Sequence, residues 1–357
     1  MCVNLLGMQH LDWKILSLLF LLCFCKNKQL TDNQIYISVK HASLRAEPDE
    51  KSHEIASLKK DQTLTDLGEV SRFESQVAAG GNIYQTPWIK VQTTENQTGW
   101  VHAWALRPME KQEDWLLQKR LSCYFGESLR ARRNALLQSF KKVQTAEQVS
   151  TLWKESTALR DTFLSMLSNR TEKSYSPQFI WLNEVLPGFL FQKVGETNSP
   201  YLFADFRVWQ KTGLKTTDKQ DDIFFRTCLA AFPTDSIESF FPVWKFQISE
   251  LESASQLGSG QHLKMIQHID NAFESGTLFA SVLDDLKNQI LEDIFEKNMR
   301  YWQPQHKILE ELRQIMDNPP KCLSVREREA LSIRQRMFED PVGNGIVLNL
   351  RSGESQQ

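Results

Sequence analysis

Trp88 to Leu106 reads WIKVQTTENQTGWVHAWAL, and this stretch decides the amino-terminal fold. Apolar and polar residues alternate through Trp88–Thr93, as in a strand that sends successive side chains to opposite faces. Thr94 to Gly99 is turn chemistry, with Gly99 open to positive φ. Working outward, IYISV (Ile35–Val39) alternates in the same way, TLTDLGEV (Thr63–Val70) is strand-like, and AEPDEKS (Ala46–Ser52) is a turn in which Pro48 fixes φ. About five short strands in some 70 residues call for a small barrel, which hides its sheet edges.

Several of these residues occur as an ordered set of motifs. Leu44-Arg45-Ala46-Glu47-Pro48, Ile55 to Lys60, Thr63-Leu64 through Leu67-Gly68, Trp88-Ile89-Lys90-Val91 and Gly99-Trp100-Val101-His102, completed by Leu106, resemble the bacterial SH3 (SH3b) domain. Two features depart from that pattern. Asp61 stands where the family usually has glycine, and Ser71 to Pro87 is longer than the usual link into the W-x-K-V strand. The insertion is read either as a loop that enlarges or covers a groove or as a tolerated surface addition. The resemblance implies a binding module rather than a catalyst, of the kind that serves as an envelope adaptor and holds peptidoglycan or another extended chain. Tyr84, Trp88, Trp100 and Trp104 are the candidate ligand contacts, since rigid aromatic faces bind extended ligands at low entropy cost. For Trp88 and Trp100, which lie on strands, a place in the barrel core is the alternative. Eight Lys or Arg against nine Asp or Glu between Ile35 and Arg107 leave no face for nucleic acid.

Ahead of this module, Ile15 to Phe24 (ILSLLFLLCF) is apolar, with Lys14 before it and Lys26 and Lys28 after it. It is too short to span a bilayer and has the shape of a signal-peptide core. Cys23 and Cys25 at its end resemble the lipid-modified cysteine of bacterial lipoproteins, although Leu22 and Phe24 are larger than the small residue preferred there. Ordinary cleavage after Cys25 and an uncleaved core helix are the alternatives. The expected layout is a signal over 1–25, a linker over 26–34, an SH3b-like barrel over 35–108, a helical domain over 110–340 and a strand and tail over 341–357.

Past Pro108 the apolar spacing becomes helical. Thr145 with Gln148 and Ser324 with Glu327 form capping boxes, and Ser199-Pro200 is read as the start of a helix that ends at Gly213. Further helices are expected at 113–142, 177–192, 218–231, 236–248, 260–274, 277–301 and 304–316, with a strand at 345–350. The fold class is therefore a small all-β SH3-like barrel followed by a larger all-α domain. Trp115, Trp153, Trp181, Trp209 and Trp244 recur without a fixed period and are read as core anchors or as repeat markers.

The chain has 357 residues and a formal net charge of -2, which gives no general reason to bind nucleic acid. It contains no HExxH, GxxxxGK[ST], GxSxG or GxGxxG pattern. His262 and His268 fall on different faces of one helix, and Cys228 sits mid-helix rather than at a helix start, where a peptidase nucleophile belongs. Cys123, Cys228 and Cys322 read as buried small hydrophobes, and the pairs Asp221-Asp222 and Asp284-Asp285 as solvated. Seven Lys or Arg between Lys119 and Lys142 form either an anion-attracting patch or a solvated face. The reading reached is an exported, non-enzymatic envelope adaptor without metal or cofactor. Its barrel holds peptidoglycan or an extended peptide, its helical domain holds an envelope protein, and lipidation through Cys25 or Cys23 anchors it. A hydrolase with its site in the helical domain and a helical-repeat scaffold are the alternatives.

Overall fold

The computed structural model describes residues 33–110, 112, 114–169, 179–194, 199–233, 238, 242–248, 252–296 and 299–348. The apolar run at 15–24, Cys23, Cys25 and the tail from 349 lie outside them. The described chain forms two compact units that meet in sequence between Arg132 and Arg133.

In the first unit, β1 (Gln34–Ile37), β2 (His41–Arg45), β3 (Glu54–Lys59), β4 (Thr63–Ala79), β5 (Asn82–Thr93), β6 (Thr98–His102) and β7 (Leu106–Pro108) make one antiparallel sheet. Its order is β3-β2-β6-β5-β4-β1-β7. Small aliphatic residues fill the inner face, among them Ile37, Leu44, Ile89, Val91 and Leu106, and Trp115 joins them from the following helix. A Cβ on Gly99 would lie 2.6 Å from the Arg45 carbonyl oxygen, so Gly99 lets β6 approach β2 and is not the turn residue expected. Positive φ falls instead on Asn96 (65°). Asp61 also explains itself: its φ is 63°, the left-handed conformation that favours glycine and that Asp tolerates better than most side chains.

The insertion is not a loop. Ser71 to Pro87 continues β4 and β5 as a two-stranded arm, paired from Glu74↔Pro87 to Ala79↔Asn82. Gly80 and Gly81, both at positive φ, close it in the two-residue turn that matches strand twist.

Helix α1 (Trp115–Lys142) is broken at Gly126. The helices after it are α2 (Ala146–Ser168), α3 (Phe206–Gly213), α4 (Gln220–Ala231), α5 (Gln261–Ser275), α6 (Ala280–Phe295), α7 (Gln305–Asp317) and α8 (Val325–Met337). Both capping boxes form, at the starts of α2 and α8. Three expected helices are corrected. Residues 179–194 give a short 3-10 turn (Phe179–Glu184) and strand β8 (Phe189–Val194), and Ser199–Ala204 is strand β9, paired with β8. Asp205, taken as mid-helix, is the true cap of α3, accepting the Arg207 N–H at 3.0 Å. Within 236–248 the described segment holds strand β10 (Lys245–Gln247), which pairs with β11 (Ser253–Ser255). β11 continues in parallel to β12 (Arg300–Tyr301) and β13 (Val347–Leu348).

The tryptophans do not mark repeats. Trp153 and Trp209 meet edge to face at 4.9 Å in one aromatic core, and Phe189, Phe206, Phe224 and Phe225 also pack around Trp153.

Candidate functional site

Strand alternation places Ile89 and Val91 in the barrel core, so Tyr84, Thr86, Trp88 and Lys90 lie on the opposite face of β5. Register sets Trp88 beside His102 and Lys90 beside Trp100 on β6. Just past β6, Trp104 stacks on Tyr84 with ring centroids 5.2 Å apart and planes 17° from parallel. All four sequence-derived aromatics therefore belong to one face, but they are not equivalent. Tyr84 is 37% exposed, whereas Trp88 is 3% exposed and its indole N–H donates to Ser75 Oγ at 2.8 Å. Trp88 is thus the buried member of the four. Trp100 is half-buried and carries Lys90 Nζ 5.8 Å from its ring centroid, while Lys90 also pairs with Glu69 at 2.9 Å.

His102 organises this face, a role that its place in the Gly99-Trp100-Val101-His102 motif did not disclose. Its Nε2 lies 3.1 Å from the Ser75 carbonyl, which can only accept, so Nε2 carries the proton. Nδ1 then accepts from Thr86 Oγ1 at 3.0 Å, and that oxygen accepts the Trp104 N–H at 3.1 Å. Burial pushes the imidazole down to about 4, leaving it neutral near pH 7. The chain of bonds ties the arm (Ser75, Thr86) to the segment that carries Trp104.

Helix α1 secures the base of the arm. Arg120 donates to Glu74 at 2.8 Å and to the Gln85 carbonyl at 2.9 Å, and Tyr124 donates to Glu74 at 3.2 Å. Lys119 pairs with Asp66 at 2.5 Å. Arg130 pairs with Glu127, and buried Arg133 donates to the carbonyls of Val185 and Glu184. Four of the seven basic residues are thereby engaged within the protein, which leaves Arg132, Lys141 and Lys142 exposed.

The second unit holds a polar cluster that sequence spacing did not reveal. Asp293 on α6 accepts from Ser255 Oγ at 2.5 Å and lies 2.9 Å from His262 Nε2, and all three residues are fully buried. Serine bonds the carboxylate rather than the imidazole, so histidine is not placed to take its proton, as nucleophilic catalysis requires. Nearby, the Glu311 carboxylate accepts the N–H groups of Gly258, Gly260 and Leu263 at the start of α5. Asp221 is also fully buried, bonded to Thr216, and not solvated as expected. Burial raises the thiols of Cys228 and Cys322, the latter to about 12. Among the described residues no cluster of His, Cys, Asp and Glu is arranged to hold a metal, and no helix is long and apolar enough to cross a membrane.

Residues 40–107 match the family described as the bacterial SH3 domain. No curated protein and no solved structure matches the chain.

Proposed function

We propose that residues 35–108 are the ligand-binding module of a cell-envelope protein and that Tyr84, Trp100 and Trp104 form its contact face. The ligand class is peptidoglycan or another extended chain. Trp88 supports this face from below. The observation that carries the reading is the Tyr84–Trp104 stack, a flat aromatic surface held in place by the Thr86–His102–Ser75 bonds. Such a surface needs little further ordering when a ligand arrives. The match to bacterial SH3 domains supports the envelope setting, as does the apolar run that ends in Cys23 and Cys25, read as an export signal with a lipid anchor. The helical unit takes the role of holding a protein partner, and no catalytic role is assigned to it.

Sedimentation of the chain from Lys26 onward with insoluble peptidoglycan tests this. Wild type is expected in the pellet, and Trp100→Ala and Tyr84→Ala each lower the bound fraction with the melting temperature kept. A wild-type chain that stays in the supernatant, or variants that pellet as well as wild type, would overturn it.

A further inference from the structure

The arm breaks the rules by which proteins protect sheet edges. Among the described residues, between Glu74 and Ala79 and between Asn82 and Pro87 each strand pairs only with the other, because β1 reaches β4 no further than Thr65 and β6 reaches β5 no further than Trp88. Exposed edges are usually guarded by charge, yet from Ser75 through Ile89 no residue is charged. Ile83, 71% exposed, lies near the tip.

The two-residue turn makes Ala79 and Asn82 a hydrogen-bonded pair, and alternation then turns the backbone groups of Gln76 and Ala78 away from β5. On the opposite edge the Gln85 carbonyl is already taken by Arg120. The β5 edge is thus occupied at Gln85, whereas among the described residues no hydrogen bond falls on the outward backbone groups of Gln76 and Ala78 at the β4 edge.

We propose that the β4 edge of the arm, at Gln76 and Ala78, binds an extended, uncharged polypeptide segment by adding it to the ribbon as a third strand. Main-chain donors and acceptors in alternation are matched by another strand. A neutral edge offers no partner to a charged side chain that would be desolvated there, which selects an uncharged segment and excludes an anionic surface. Five residues, Ser75–Ala79, offer about 17 Å of uncharged edge. The proposal shares with the preceding reading the premise that the module holds an extended chain, and it adds the element that grips the backbone.

The test pans a random heptapeptide phage library on the full chain. Wild type is expected to enrich uncharged peptides rich in β-branched and aromatic residues. Ala78→Pro removes an outward N–H and no bond within the ribbon, and it should cut recovery roughly tenfold, the effect of losing a hydrogen bond or two. Ala78→Val keeps the N–H and should keep the enrichment. No enrichment on wild type, or enrichment that survives Ala78→Pro, overturns the proposal. Enrichment lost in Tyr84→Ala but kept in Ala78→Pro leaves the aromatic face standing and removes the edge; the reverse pattern keeps the edge and removes the aromatic face. If Ala78→Pro lowers the melting temperature, amide exchange in the wild-type chain with an enriched peptide decides. Slowing at Gln76 and Ala78 supports strand addition, and unchanged rates overturn it.

Discussion

His102 in the β module and His262 in the helical unit are both shut away from solvent, and they are accommodated in opposite ways. Both ring nitrogens of His102 are satisfied by a neutral hydroxyl and a backbone carbonyl, supplied by the arm. His262 has one nitrogen on a buried carboxylate, and among the described residues its Nδ1 has no partner. The first arrangement is neutral, and both partners of the ring come from one hairpin. The second gathers a charge from α6, a hydroxyl from β11, an imidazole from α5 and the Lys245 ammonium of β10 at 3.9 Å, so it depends on four elements being in place together. Completed neutral networks specify geometry at modest cost, whereas a buried carboxylate left without donors is costly.

Removing the carboxylate sharpens that contrast most. Asp293→Ala strands Ser255 and His262 without their acceptor and should cost about 3–5 kcal/mol, read as a lower denaturation midpoint. Next comes the pH response of His102. The folded chain holds it near 4, whereas its ordinary value is 6.5, so on acidification the unfolded chain takes up the proton first. The stability it contributes is complete above about 6.5 and is lost as pH falls toward 4, by roughly 3 kcal/mol in all. Denaturant titrations at pH 7 and pH 4.5 should show this fall in wild type and a smaller one in His102→Gln; equal falls would break the comparison. Thr86→Val leaves His102 Nδ1 and the Trp104 N–H without their hydroxyl and should cost about 2 kcal/mol, with weaker peptidoglycan sedimentation as the Tyr84–Trp104 stack loosens. Ser255→Ala, which leaves Asp293 its histidine, should cost about 1 kcal/mol in the same midpoint assay. A larger loss for Ser255→Ala than for Asp293→Ala would reverse the ranking on which the comparison rests.

The module was legible because its signals are local. Alternation in Trp88–Thr93, the ordered motifs from Leu44 to Leu106 and both capping boxes act within a few residues of themselves. The arm could have been read from Gly80-Gly81 between two runs of similar length, the signature of a two-residue hairpin. Ser199–Ala204 misled because serine before proline looks like a helix start, while its strand state is decided by pairing with Phe189–Val194. At the candidate site, the four aromatics are chosen by type, and strand position sets Trp88 and Trp100 apart as core candidates without telling the buried Trp88 from the half-buried Trp100. Trp88 and Trp100 share a strand parity and differ only in what covers them. The Ser255–His262–Asp293 cluster had no readable spacing, because packing of β11 against two helices brings its members together.

The small sheet of β10 to β13 sets a schedule for synthesis. Its strands leave the ribosome in the order 245, 253, 300 and 347, and parallel pairing of β12 with β13 cannot occur until the last has emerged. At about 5–20 residues per second, translation from β10 to β13 occupies roughly 5–20 s. The barrel, whose strands are complete by Pro108, can finish its pairing long before then. During that interval Tyr301 and its neighbours on the nascent chain lack their final partner strand, and this is the window in which a chaperone would have most to hold.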